Sequence, residues 1–269
     1  MQAAAHAIAR SGRTVLSEPA SAPDLGPLCT VCDDVPSLAR ECDVLLVLGG
    51  DGTILRVVRE IDGARTPVLG INAGRLGFLT AISSTDLPQA LQRLWAGSFF
   101  EEKRSLIEAT GTIKGRNICL RALNDIVISR GTASRLIELD VCVNGEALTS
   151  YRSDGLIISS PTGSTAYSLS AGGAIVSPDA EVFAMTPICP HTLSNRSVIV
   201  SLNSVIQVRV SSEKLEVNAA ADGQVQVDLE TGDTITIVRS RRVVHLLHLA
   251  GSSFFETLRK KLHWSGSNF

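Results

Sequence analysis

The run Val44-Leu45-Leu46-Val47-Leu48-Gly49-Gly50-Asp51-Gly52-Thr53, continued by ILRVVREI at 54–61, decides the fold of the first third of the chain. Five successive apolar residues are the pattern of a strand buried on both faces of a parallel sheet. The glycines end that strand, and the apolar residues of 54–61 then recur at helical spacing. Residues 67–72 (PVLGIN) repeat the pattern as a second buried strand, ending in Ala73-Gly74-Arg75. Residues 1–13 read as a helix of small residues. Residues 85–96 read as another, with Leu87, Leu91 and Leu94 on one face and Thr85 or Asp86 as cap. Alternation of strand, turn and helix predicts a doubly wound α/β domain.

The pattern changes near residue 100. β-Branched segments recur at 105–113, 117–129, 135–143, 155–160, 197–201, 205–211, 214–219, 224–229 and 234–239. Turn signals such as Asn144-Gly145 and Thr231-Gly232-Asp233 separate them. Many short strands predict a β-sandwich-like second domain. One helix start interrupts it, in STAYSLSAGG after Pro161-Thr162-Gly163. The tail SFFETLRKKLHW (253–264) returns to helix, with Phe254, Phe255, Leu258 and Leu262 on one side. The expected domains are residues 1–100 with 250–269, and 101–249.

Composition narrows the function classes. The chain has 269 residues, 44% apolar and 19% charged, with a net charge of −2. That is an ordinary globular balance, with no basic field for nucleic acid or an anionic membrane. No apolar run approaches the roughly 18 residues that span a bilayer. The first residues lack a signal-peptide pattern, so the expected location is the cytoplasm. Six scattered cysteines fit small buried thiols of a reducing compartment. Cys29 and Cys32 form a lone C-x-x-C, without the second pair that a structural zinc site needs.

A strand that ends in glycines and opens a helix suits phosphate, because the backbone approaches closely and helix-start amides face the anion. Asp51 is odd in such a cradle, since a carboxylate repels phosphate. It reads as a base or orienting group for a hydroxyl, against the plainer reading of a helix cap. The phosphate-loop, dinucleotide-fold and protein-kinase signatures are absent from the sequence.

GGDGT alone resembles diacylglycerol and sphingosine kinases and, loosely, phosphofructokinases. Four further segments discriminate: NAGRLGFLT (72–80), LNDIVISRG (123–131), RSDGLIISSPTGSTAYSLSAGG (152–173) and PHTLSNR (190–196). Together, and in this order, they resemble NAD kinase. The resemblance implies an N-terminal α/β domain, a C-terminal β-sandwich, and a last helix that packs back on the first domain. It implies transfer of the γ-phosphoryl of ATP, carried with magnesium or another divalent ion, to the 2′-hydroxyl of the adenosine ribose of NAD. NAD is expected between the domains and partly across a subunit interface, in homodimers or homotetramers, with no direct protein ligand to metal.

By the same resemblance Asp51 matches the catalytic aspartate. Gly49, Gly50, Gly52 and Thr53 match the phosphate-donor turn, Gly52 also touching NAD. Asn124 and Asp125 match the pair that grips ribose. Thr165, Ala166, Tyr167, Ser168, Leu169 and Ser170 match the adenine segment. Arg152 and Asp154 match positions near the nicotinamide end and the neighbouring subunit, Gln224 a late ligand contact, and Arg135 a basic position. Arg75 reads either as a phosphate neutraliser or as a solvated loop charge, while His191, His245 and His248 read as structural. Two departures stand out. The family's acid after Asn124 is usually glutamate, and its members carry a further strand before the first helix, whose lack predicts an exposed strand edge.

Overall fold

The computed structural model describes all residues except 75, 81, 133–134, 193–195, 214 and 265–269. Two compact units form: Met1–Lys103 with Val243–Phe269, and Arg104–Arg242. Each has its own core.

In the first unit Val68–Asn72 is the central strand, buried at every residue. Leu45–Gly49 pairs with it in parallel, from Leu45 opposite Val68 to Gly49 opposite Asn72. On its other side Leu246 pairs with Val68, and Ile82–Ser83 pairs with Ile71–Asn72. The helix Asp51–Ile61 buries Ile54, Leu55, Val57, Val58 and Ile61, the face that the 3.6-residue period marks out. Leu87–Trp95 buries Leu87, Ala90 and Leu91. One of its two expected caps is in place but makes no capping bond. Asp86 holds the N-cap position without a side-chain bond, and Ser83 instead accepts from the Thr85 amide of the preceding turn.

Leu45–Gly49 departs from the expected two-sided burial. Leu45 and Val47 are buried, whereas Leu46 and Leu48 are only half-buried. Among the described residues no strand pairs with its outer edge. A groove of about 1130 Å³ lies there, lined by residues that include Ala5, Ile8, Leu16, Leu46, Leu48 and Trp95. The first helix, Gln2–Arg10, buries Ala4 and Ala5.

Sequence patterning missed the helix Val35–Glu41, although Asp34 accepts from the Ser37 amide at 2.7 Å and Pro36 stands in its first turn. Both are helix-start signals. The last helix, Phe254–Leu262, buries Leu258 on the first unit. The Phe254 ring lies 6.3 Å from that of Phe78. Phe255 belongs to the other face and is 59% exposed, against the one-sided expectation.

In the second unit six antiparallel strands form one sheet, in the order Val198–Ser201, Val182–Ile188, Gly155–Ser159, Asp125–Arg130, Val217–Ala221, Val225–Leu229. Opposite it run Glu146–Ser153, Ile137–Val143, Ile206–Val210 and the first part of Thr234–Leu249. The two faces share one core, with Ile126, Ile128, Leu156, Ile158 and Phe183 from the first sheet against Ile137, Leu139, Val141, Val208 and Ile235 from the second. Strict alternation of buried and exposed residues in Ile206–Val210 is the period-2 signal of such a sheet.

Two strands escaped the pattern reading. Glu146–Ser153 is a polar edge strand. Val182–Ile188 contains Pro187, which argues against a strand; yet its pairing with Val198–Ser201 stops at Met185, so Pro187 has a neighbour on one side only. The 117–129 run is interrupted. It divides into Arg116–Ala122 and Asp125–Arg130, because the amides of 123–125 turn to a side chain instead of a ladder. Phe183 is fully buried in this core, so Phe183→Ala should cost about 3–5 kcal/mol, read as a lower urea midpoint.

Candidate active site

Each unit carries one group of candidate residues. In the first unit Gly49 closes the strand and Gly50, extended at φ −96°, is the N-cap of the helix that Asp51 opens. The Thr53 amide donates to the Gly50 carbonyl at 3.0 Å. The Asp51 carboxylate does not cap this helix. It is turned to the segment 78–80, where Oδ2 accepts from the Phe78 amide at 2.8 Å. Oδ1 accepts from the amides of Leu79 at 3.0 Å and Thr80 at 3.1 Å, and from the Thr80 hydroxyl at 3.1 Å. Three successive amides aimed at one anion form a nest. Gly77 makes it possible, because a β-carbon there would overlap Asp51 Oδ1.

The last helix secures the same segment. Lys261 Nζ donates to the Leu76 carbonyl at 2.8 Å and lies 5.2 Å from the centre of the Phe78 ring. Arg75 lies outside the described residues. His245 and His248, read as structural, face Glu101 and Glu102 at 2.6 and 2.9 Å, and the His248 ring stacks on that of Phe100.

The second group is built around Asp222, which sequence reading did not assign. Its carboxylate accepts from the amides of Leu123 at 2.9 Å, Asn124 at 2.8 Å and Asp125 at 3.2 Å. Asp222 sits in the left-handed region at φ 51°, followed by Gly223 at φ 63°. An Asp-Gly turn signal was its one sequence trace. Its own amide donates to the Asp125 carbonyl at 3.0 Å. The Ser160 amide donates to the Asn124 carbonyl at 2.8 Å, and the Ser160 hydroxyl to the Leu123 carbonyl at 2.5 Å. Gly163 packs so close that a β-carbon would overlap the Asn124 carbonyl.

Segments 123–125, 160–163 and 221–222 therefore meet. The short helix Tyr167–Ser170 follows directly, with Tyr167 48% exposed. Ser168 is buried and hydrogen-bonds Thr186 at 3.0 Å, so it is a framework residue on this helix. The Thr165 hydroxyl donates to the Thr162 carbonyl at 3.2 Å, while Ala166 and Leu169 are half-buried and Ser170 exposed. Exposed Gln224 sits in the same turn as Asp222, its amide donating to the Ala221 carbonyl at 2.9 Å.

Three candidates lie elsewhere. Asp125 pairs with Ser159 and Asp154 precedes Gly155 on that strand, which separates the two acids by roughly 17 Å at ~3.3 Å per residue. Asp154 accepts from Arg130 Nε at 2.6 Å. Arg152 is exposed, 3.9 Å from Glu138. Ser153 pairs with Ile137, which puts exposed Arg135 at this same far end.

Two family models match the chain: the ATP-NAD kinase N-terminal domain over residues 27–99 and the ATP-NAD kinase C-terminal domain over residues 123–249. The NAD kinase of Symbiobacterium thermophilum is 44% identical over 253 residues, 94% of this chain and 89% of that protein. That of Paraburkholderia phytofirmans is 42% identical over 272 residues, 98% and 88% of the two. The chain belongs to the NAD kinase family. Among solved structures, yeast NADH kinase complexed with NADH matches with a TM-score of 0.87 at 29% identity, over 99% of this chain and 85% of that one. An NAD kinase from Archaeoglobus fulgidus in complex with ATP matches at 0.74 and 28%, over 88% and 90%.

As a member of the NAD kinase family, the chain is a phosphotransferase. Asp125 has unusual electrostatics. Burial, and then the charge of Asp222, push the Asp125 carboxyl up to about 7. A raised folded-state pKa stabilises the fold fully below the unfolded value of ~3.9, and that stability is lost as pH rises through about 7. Asp125→Asn, always neutral, should therefore gain in urea midpoint over the wild type at pH 8 and show little gain at pH 4. Equal gains at both pH values would show that the Asp125 charge does not cost stability.

Proposed function

We propose that this chain transfers the γ-phosphoryl of ATP to the 2′-hydroxyl of the adenosine ribose of NAD, giving NADP and ADP, with Asp51 as the proton acceptor. The observation that carries the reading is the held carboxylate at a glycine turn between a parallel strand and a helix, in a chain of the NAD kinase family. Phosphoryl transfer to a hydroxyl needs orientation, a proton acceptor and neutralised phosphate charge, with little covalent work for the protein. Gly49, Gly50, Gly52 and Thr53 form the donor-phosphate side, at the helix end whose dipole favours anions.

Asn124 and Asp125 take the ribose hydroxyls, their backbone held by Asp222. Thr165–Ser170 and Gln224 line the adenosine, with the Tyr167 ring as its flat, exposed face. Arg135, Arg152 and Asp154 sit at the far end of the sandwich strands, which favours contact with NAD held by a neighbouring copy in a homodimer or homotetramer. Among the described residues no three metal-binding side chains cluster. A magnesium ion would enter with the nucleotide and would neutralise part of the phosphate charge. No helix among the described residues is long and apolar enough to cross a membrane. Six unpaired cysteines favour a reducing compartment, the cytoplasm.

A coupled assay with magnesium, ATP and NAD, reading NADP through an NADP-specific dehydrogenase, tests the reaction. Asp51→Asn should lower turnover by ~10²-fold or more, the scale of general-base loss, with NAD affinity retained. Turnover near that of the wild type would remove Asp51 from the chemistry. Tyr167→Ala should weaken NAD binding in titration calorimetry; unchanged affinity would place the adenine elsewhere.

A further inference from the structure

The nest around Asp51 is asymmetric. Among the described residues Oδ1 takes three donors and Oδ2 takes one. A carboxylate oxygen has two lone pairs, so Oδ1 is filled and Oδ2 keeps a place for another partner. The third donor to Oδ1 is a hydroxyl, whose single proton has to be aimed.

Asn72, the last residue of its strand, aims it. Both Asn72 and Thr80 are buried, at 3% and 0% exposure. The Gly74 amide donates to Asn72 Oδ1 at 2.6 Å, which fixes the orientation of the Asn72 amide group. Its Nδ2 then faces Thr80 and donates to Oγ1 at 2.8 Å. Because Oγ1 accepts there, its own proton points to the acceptor that remains, Asp51 Oδ1. The order of donors is set by geometry alone: Gly74 to Asn72, Asn72 to Thr80, Thr80 to Asp51.

We propose that Asn72 and Thr80 are positioning residues of the phosphoryl transfer, which saturate Oδ1 of Asp51 and leave Oδ2 as the atom that takes the ribose proton. The inference rests on the reading of Asp51 as the proton acceptor. In the step, the 2′-O–H bond breaks and its proton passes to Oδ2. The hydroxyl's electron pair forms the bond to the γ-phosphorus, and the bond from that phosphorus to the bridging oxygen breaks, its pair leaving on ADP. Water then collects the proton from Oδ2. The Thr80 hydroxyl stays bound to Oδ1 throughout, keeping the carboxylate plane from turning.

Three variants test this against Asp51→Asn in the same NADP-forming assay. Thr80→Val removes the hydroxyl at constant shape and should lower kcat about tenfold, the equivalent of one hydrogen bond, with KM for NAD and ATP unchanged. Thr80→Ser returns the hydroxyl and should restore kcat. Asn72→Asp keeps the side-chain size but turns a donor into an acceptor, which draws the Thr80 proton away from Asp51. It should lower kcat with Thr80 still in place, and so serves if Thr80→Val fails to fold. Asp51→Asn with near wild-type turnover overturns the reading of Asp51 itself. An inactive Asp51→Asn beside wild-type kcat in Thr80→Val or Asn72→Asp overturns the positioning role alone. Equal losses in Thr80→Val and Thr80→Ser overturn it too, since packing and not the hydroxyl would then matter.

Discussion

A carboxylate that accepts from three successive backbone amides holds each group of candidate residues in shape. Amides in a sharp turn have no ladder or helix partner, and a buried amide without an acceptor costs roughly 1–3 kcal/mol. Asp51 satisfies those of 78–80, and Asp222 those of 123–125. Hydrogen bonds to a charged group are the stronger kind, so each carboxylate acts as a rigid hub for a turn that would otherwise be mobile. What surrounds the hubs follows from them. Gly77 and Gly163 are glycines because the packed turns leave no room for a β-carbon.

The two hubs differ in what they leave available. Asp51 is half-buried at the start of a helix and keeps one oxygen with capacity to spare, which suits a proton acceptor. Asp222 instead presents its neighbour. By ordering 123–125 it places a second carboxylate, Asp125, in a buried position where two negative charges are close. That arrangement is unfavourable for the free protein. Any donor that hydrogen-bonds the charged form would offset the desolvation that raises Asp125.

Much was legible in local pattern. The strand, glycine turn and helix at 45–61 follow from apolar periodicity and backbone freedom, and the period-2 strands of the sandwich are plain in Ile206–Val210. Less legible were elements whose pattern is masked by position. Glu146–Ser153 reads as polar because an edge strand has water on one side, and Pro187 hides a strand that tolerates it only because its second neighbour ends two residues earlier. Half-burial of Leu46 and Leu48 likewise depends on what lies at a strand edge, which the apolar run at 44–48 cannot express.

The family was legible from contiguous motifs alone, because their backbone and side-chain demands are local. Which atoms meet is visible only in the folded chain. Asp222 reaches the 123–125 amides across about a hundred residues of chain, and Asn72 orders a hydroxyl that only a folded turn brings to Asp51. Hydrogen-bond partners at such separations are selected by where the sheets place the backbone, and no spacing along the chain encodes that.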